Sequence, residues 1–253
     1  MQLIIRDLIY RSPHNRVLGK GSWISIGAPI VTEIVAKFGF DWLLFDMEHG
    51  GINESNLLAN MHAAKNSGVK IIVRIGEYSA SLIAHVLDVG VDGIMVPHVE
   101  SVSEAERIVK AMNFPPNGFR GLSTSTRCFT YGLDASQKPE NMSQPLFLAQ
   151  IESYEGVCNA ESIASVEGVD MLFVGPRDLS FELSMRHNLP TIEFDDALKR
   201  VALAARRSGK QAGILIRDSA KIVQLENYGY TALALGSDMG ALKAGLKNIV
   251  KNL

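Results

Sequence analysis

Several things are scarce in this chain, and each shortage closes a class of explanation. It carries 2 cysteines in 253 residues, Cys128 and Cys158, in no CxxC spacing. A disulfide framework needs more, so both read as reduced thiols. No charge of one sign dominates: the net charge is -2, and no long Lys/Arg run appears. With a pI near 6.3, the chain offers no basic field for nucleic acid or an anionic membrane surface. A small-molecule partner is expected instead. Apolar runs of spanning length are missing, and "MQLIIRDLIYRSPHNR" is broken by charges too early to serve as a secretory h-region. A soluble, cytoplasmic protein is expected. No GxGxxG follows the first strand-like run, which removes the usual dinucleotide fingerprint.

What is present is a repeated phrase. Hydrophobic residues make up 47% of the chain and charged ones 21%, enough to build one large core. A helix-like stretch ends at a glycine, two or three residues follow, and an apolar run begins: "FGFDWLLFD", "SGVKIIVRI", "VGVDGIMVP", "EGVDMLFVG", "SGKQAGILI" and "YGYTALALG". Gly39, Gly68, Gly90, Gly168, Gly209 and Gly229 stand where a helix needs a left-handed C-terminal residue. The runs lack polar alternation, as strands covered on both faces do in parallel sheets. With "WISIG" at 23–27 as the first and "LFLAQIE" at 146–152 as the fifth, about eight runs alternate with helices, the pattern of a (β/α)8 TIM barrel. One domain then absorbs residues 1–253. A doubly wound open sheet is the competing architecture. Ser101 with Glu104 reads as a capping box, and Asn53 and Ser79 as helix N-caps. Residues 113–145 are too long and turn-rich for a plain connection and read as a lid or a subunit contact.

A barrel places chemistry at the C-terminal ends of its strands and stability at the other rim. Sorted this way, Asp46, His49, Arg74, His98, Glu152, Asp178, Ser237 and Asp238 fall at the mouth. Asp41, Lys70, Asp92, Asp170 and Lys210 fall on the opposite rim as structural or solvated charges. Glu152 and Asp178, from adjacent strands, offer two hard oxygen ligands to one divalent cation, with remaining positions for water or a bidentate 2-oxo acid. Arg74 could hold a substrate carboxylate or a developing enolate oxygen. His49 supplies the side chain whose ordinary titration lies nearest neutrality, hence a general base or acid. Asp46, three residues earlier, could orient its imidazole, while Glu48 reads as a loop buttress.

The ordered set "GSWISIGAPIVTEIVAKFGFDWLLFDMEHG", "IIVRI", "GIMVPHVES", "FPPNGFRG", "QIES" and "FVGPRDLS" resembles the HpcH/HpaI family of class II, metal-dependent pyruvate aldolases. The likeness runs from about residue 18 to near the C-terminus. It implies a barrel of the phosphoenolpyruvate/pyruvate type, commonly a hexamer, that cleaves a 4-hydroxy-2-oxo acid reversibly to pyruvate and an aldehyde. It further implies that Glu152 and Asp178 bind Mg2+, Mn2+ or Co2+ and that Arg74 contacts the pyruvate-derived oxygens. His49 and Asp46 would form the acid–base pair, and the backbone through Gly175, Pro176 and Asp178 would receive the substrate carboxylate. Two positions depart from the pattern: Arg177, where relatives carry a small or apolar residue, and His98, where they are more often apolar. Arg177 could bind a second carboxylate on the aldehyde or face solvent.

Rival functions are a lyase acting on CoA-linked hydroxy acids, a non-catalytic 2-oxo-acid binder, and a phosphate site at "LGSDMG". A Schiff-base aldolase needs a lysine inside the barrel, and no strand C-terminus presents one. His98, His62 and His85 read as structural, the last two on helices away from the mouth.

Overall fold

The computed structural model describes residues 17–134, 136 and 138–251. The reading of residues 1–16 as lacking a secretory h-region lies outside them. Eight parallel strands close into a barrel in chain order: β1 Lys20–Ile24, β2 Trp42–Asp46, β3 Lys70–Arg74, β4 Gly93–Val96, β5 Leu146–Ile151, β6 Met171–Val174, β7 Gln211–Ile216 and β8 Ala232–Ser237. Around them lie α1 Pro29–Ala36, α2 Glu54–Ala64, α3 Ala80–Asp88, α4 Val102–Met112, α5 Tyr154–Cys158, α6 Ala160–Ala164, α7 Pro176–Ser184, α8 Phe194–Arg207, α9 Ile222–Tyr228 and α10 Asp238–Lys251. Closure of β1 onto β8 decides against the open sheet. The first strand begins at Lys20, three residues before its apolar run, because Lys20 and Gly21 pair with Leu233 and Ala234 of β8.

The local signals behave as their chemistry requires. All six helix-ending glycines adopt positive φ, from 67° at Gly209 to 107° at Gly229. Asn53, Ser79 and Ser101 cap their helices, Ser101 with Glu104 in a reciprocal box. On the N-terminal rim the aspartates recur as a device. Asp41 accepts the Lys20 N–H, Asp92 that of Ile71, and Asp170 that of Phe147, each tying an even strand's lead-in to the strand before it. These bonds satisfy strand-start donors that parallel pairing leaves over. That rim is structural, as the sorting by strand end requires.

Two apolar shells result. The outer one packs helices on strands. The inner one plugs the barrel with Trp23, Trp42, Leu44, Ile72, Met95, Leu148, Phe173 and Ala234. Large and small alternate, so that Gly21 leaves room for the Trp42 ring and Gly213 for Phe173. Inward positions repeat every second residue. Above the apolar plug the same parity delivers Asp46 after Leu44, Arg74 after Ile72, and Gln150 and Glu152 after Leu148 to the mouth.

The segment 113–145 corrects one expectation. It joins the end of α4 to the start of β5, and so sits on the N-terminal rim. Arg120 pairs with Asp88, and Arg127 donates to the Val89 carbonyl at 2.7 Å, both at the end of α3. The Phe114 and Phe129 rings pack 6.0 Å apart beneath them. A segment tethered there cannot close over its own barrel mouth, so it is no lid for this chain's site. A cleft of about 910 Å3 lies along it, lined by Arg120, Arg127, Cys128, Thr130 and Tyr131. That cleft is on the wrong rim for the chemistry of the strand ends.

Candidate active site

Asp46 ends β2 and is buried, with 3% of its side chain exposed. Its carboxylate accepts five hydrogen bonds: the Arg74 Nε at 3.0 Å and Nη2 at 2.7 Å, the Trp23 indole at 3.0 Å, and the backbone N–H of Glu48 and His49, both at 3.1 Å. Burial opposes its ionisation, but the Arg74 guanidinium, the His49 N–H and the Trp23 indole outweigh it and hold its carboxyl below the ordinary range. The expected pairing of Asp46 with the His49 imidazole is therefore corrected. Asp46 grips the backbone of the 46–49 turn and fixes Arg74, and its lone pairs are spent.

Arg74 is buried with 7% of its side chain exposed, forked onto Asp46. Its guanidinium lies over the Trp23 ring, 5.1 Å from the centroid. Glu48 Oε2 stands 2.8 Å from Nη1 in a second ion pair. Two of the five guanidinium N–H bonds are taken by Asp46. The others remain for a ligand. His49 projects outward with 68% of its side chain exposed, its Nε2 3.8 Å from Glu48 Oε1.

Across the mouth, Glu152 follows β5 and is buried. Burial raises its pKa; Asp178 and Glu48 push it further up, and the His98 N–H and ring draw it back. Gln150 donates to Glu152 Oε2, while its own Oε1 is buried with no partner. Gly175 backs directly onto this pair, since a Cβ there would collide with Glu152 Oε2 and stand 2.8 Å from Gln150 Nε2. Pro176 then starts α7 without a side-chain cap. Its first-turn N–H groups are left for an anion, and Asp178 in the same turn lies near enough to Glu152 to perturb it.

His98 also belongs here. It takes a left-handed backbone, φ 51°, rare for a side chain with a Cβ. That bend lets its N–H donate to Glu152 Oε1 at 3.1 Å, with ring Nδ1 3.4 Å from the same oxygen. The turn positions a mouth carboxylate, so His98 is more than a packing histidine. Ser237 and Asp238 do not join the group. Ser237 Oγ accepts the Gly240 N–H, and Asp238 accepts the N–H groups of Ser25 and Ile26, bolting β8 to β1. The phosphate reading of "LGSDMG" gives way to a plain cap.

The residues 20–244 match the model of the HpcH/HpaI aldolase/citrate lyase family. The chain belongs to this family. It is 34% identical over 229 residues to the 5-keto-4-deoxy-D-glucarate aldolase of Salmonella gallinarum, covering 90% of each chain. Among solved structures it resembles an HpcH/HpaI aldolase/citrate lyase family protein from Burkholderia cenocepacia, with a TM-score of 0.86 at 27% identity, covering 100% of this chain and 99% of that one. It also resembles the citrate synthase SbnG, with a TM-score of 0.78 at 28% identity over 93% of this chain and 92% of that one. The curated relatives are named aldolases, and as a member of the HpcH/HpaI family this chain is an aldolase, a carbon–carbon lyase.

Trp23, Gln150 and the ion-pairing role of Glu48 escaped the sequence reading. The signal for Gln150 was available: it lies two residues before Glu152 on β5 and shares its inward parity.

Proposed function

We propose that the enzyme cleaves a 4-hydroxy-2-oxo acid to pyruvate and an aldehyde, with a divalent cation held by Glu152 and Asp178 and with Arg74 and His49 meeting the substrate. The observation that carries this is a pair of facing carboxylates at the mouth. Glu152 is buried with Asp178 and Glu48 near enough to push its pKa up, and Gln150 Oε1 beside it is buried without a hydrogen-bond partner; Glu48 is compensated by Arg74. Hard oxygens placed so suit Mg2+, Mn2+ or Co2+. Among the described residues no three His, Cys, Asp or Glu side chains form a protein-only cage. Two carboxylates leave positions for substrate and water, as an open catalytic site requires. When bound, the cation supplies Lewis-acid stabilisation of the developing enolate oxygen.

The chain's own groups do the rest. In the backbone from Gly175 through Pro176 to Asp178, the N–H groups of Arg177 and Asp178 receive the substrate carboxylate; Pro176 has no N–H and that of Gly175 is donated to the Ile151 carbonyl. Arg74, already oriented by Asp46, donates its remaining N–H bonds to the 2-oxo oxygen as charge grows there, with no reorganisation at the moment of reaction. His49 takes the proton of the 4-hydroxyl, directly or through a water. The C3–C4 electron pair then moves into the enolate and the aldehyde departs. Protonation at C3 releases pyruvate.

The same reading makes the protein a homo-oligomer, a hexamer by family resemblance, acting in the cytoplasm as one domain. Met239, Leu242, Leu246, Ile249 and Val250 form an exposed apolar stripe on α10, which supports association of copies. With no lid role, 113–145 serves as a subunit contact. The chain's two free cysteines, Cys128 and Cys158, fit a reducing compartment. The test is pyruvate release from a panel of 4-hydroxy-2-oxo acids, with chelator and then with each metal restored. Release that returns with metal supports the proposal; release indifferent to chelation removes the metal from it.

A further inference from the structure

Outside the segment 113–145, His98 is the only described residue with a side chain that is held at positive φ. A backbone bent this way persists only where its surroundings hold it. What holds it is Glu152, whose Oε1 accepts the His98 N–H at 3.1 Å and lies 3.4 Å from ring Nδ1.

The two oxygens of Glu152 differ in what is left to them. Oε2 accepts from Gln150 Nε2 and backs onto Gly175, where a Cβ would collide with it, so that side is walled. Oε1 accepts one backbone N–H, and a carboxylate oxygen with two acceptor sites keeps the second free. The open side of Glu152 is therefore the side on which the imidazole stands. The 3.4 Å from Nδ1 to Oε1 is longer than the charge-assisted hydrogen bond of such a pair, which closes to about 2.7–2.9 Å. It matches two donors sharing one cation: atoms each about 2.1 Å from an ion and about 90–110° apart lie about 3.0–3.4 Å from one another. Asp178, in the first turn of α7, acts on the same carboxylate.

We propose that His98 is a third ligand to the divalent cation, its Nδ1 joining Glu152 and Asp178 and turning the site toward transition metals and away from Mg2+. The inference rests on the metal reading above. Imidazole suits Co2+ and its neighbours, whereas Mg2+ keeps to oxygen. Two carboxylates and one imidazole still leave positions on a six-coordinate ion for substrate and water. Among the described residues no three such side chains form a closed cage, so the ring closes on the ion by side-chain rotation, a freedom that its 63% exposure leaves it.

The test uses the full chain without an affinity tag, stripped by chelator and reloaded with Mn2+. Electron spin-echo envelope modulation on the bound ion detects directly coordinated nitrogen. The native enzyme should show one imidazole nitrogen, and His49→Ala should keep it. His98→Gly, which removes the ring and leaves the left-handed backbone and its N–H in place, should lose the modulation while still binding Mn2+. His98→Asn, a second residue at ease in that conformation, should do the same. By isothermal titration, the preference for Co2+ over Mg2+ should fall on the order of tenfold in both His98 variants. A native enzyme without nitrogen modulation, modulation that survives in His98→Gly, or a metal preference unmoved in both variants overturns the inference. Titration of Glu152→Ala separates the two levels. If the native enzyme binds no metal, or Glu152→Ala binds Mn2+ as the native enzyme does, the metal reading fails and the inference with it; Glu152-dependent binding without coordinated nitrogen sinks the inference alone.

Discussion

Asp46→Asn tests the frame on which the site is built. The substitution keeps the size of the side chain and removes the charge that grips Arg74. Both members of the pair are buried, with 3% and 7% of their side chains exposed, so solvent screens little of the loss. Removing one partner of a buried pair costs about 3–5 kcal/mol when the other charge is left alone. Arg74 is not left alone, because Glu48 stands 2.8 Å from Nη1, so the loss falls at or just below the bottom of that range, about 2–3 kcal/mol. For a chain of this length the melting temperature should then fall by roughly 6 °C. The pH dependence follows from sign. The Asp46 carboxyl is held below its ordinary value of 3.8 in the folded state, so its contribution is present above that value and is lost as pH falls through the depressed one. The gap between native and variant melting curves should be constant from about pH 8 to 5 and shrink below about pH 4. Cleavage should drop on the order of 100-fold, since Arg74 loses the fork that aims it. An unchanged melting temperature at neutral pH, or a gap that persists undiminished into acid, would refute the claim that a charged Asp46 braces Arg74.

Three further outcomes follow from the same geometry. His49→Ala should reduce aldol cleavage by about 100-fold or more while isothermal titration shows metal binding intact; loss of metal with cleavage preserved would exchange the assigned roles. Glu152→Ala should abolish metal binding along with activity, and normal metal affinity in that variant would remove Glu152 from the site. Asp41→Ala, on the opposite rim, should cost about 1 kcal/mol in urea unfolding by losing the acceptor for the Lys20 N–H. Its kcat should stay that of the native enzyme, and a large fall would break the division of the barrel into a stable rim and a reactive one.

The family relation and the site reading are of different depth. Membership follows from a match across residues 20–244, whereas the acceptor chemistry turns on a few residues at the strand ends. SbnG, a citrate synthase of the same overall shape, illustrates that a shared barrel does not specify which second molecule enters. Arg177 and His98 are therefore the places where this chain's own selectivity should be sought.

Local physics was legible in the sequence. Glycines with positive φ at helix ends, short apolar runs and polar caps are set by neighbours a few residues apart, so the strand–helix rhythm and the rim on which Asp41, Asp46, Glu152 and Asp178 fall could be read without a structure. Pairing could not. Asp46 is three residues from His49 and 28 from Arg74, and proximity in sequence pointed to the histidine; the pairing register of neighbouring strands put Asp46 opposite Arg74 of β3 and beside Trp23 of β1. The orphaned oxygen of Gln150, the bend of His98 onto Glu152 and the placement of 113–145 beneath the barrel likewise depend on which distant segments meet. Short-range sterics and burial periodicity determine the elements. Which charges neutralise one another is decided only when strand pairing brings distant strand ends together and removes the water that would otherwise have separated them.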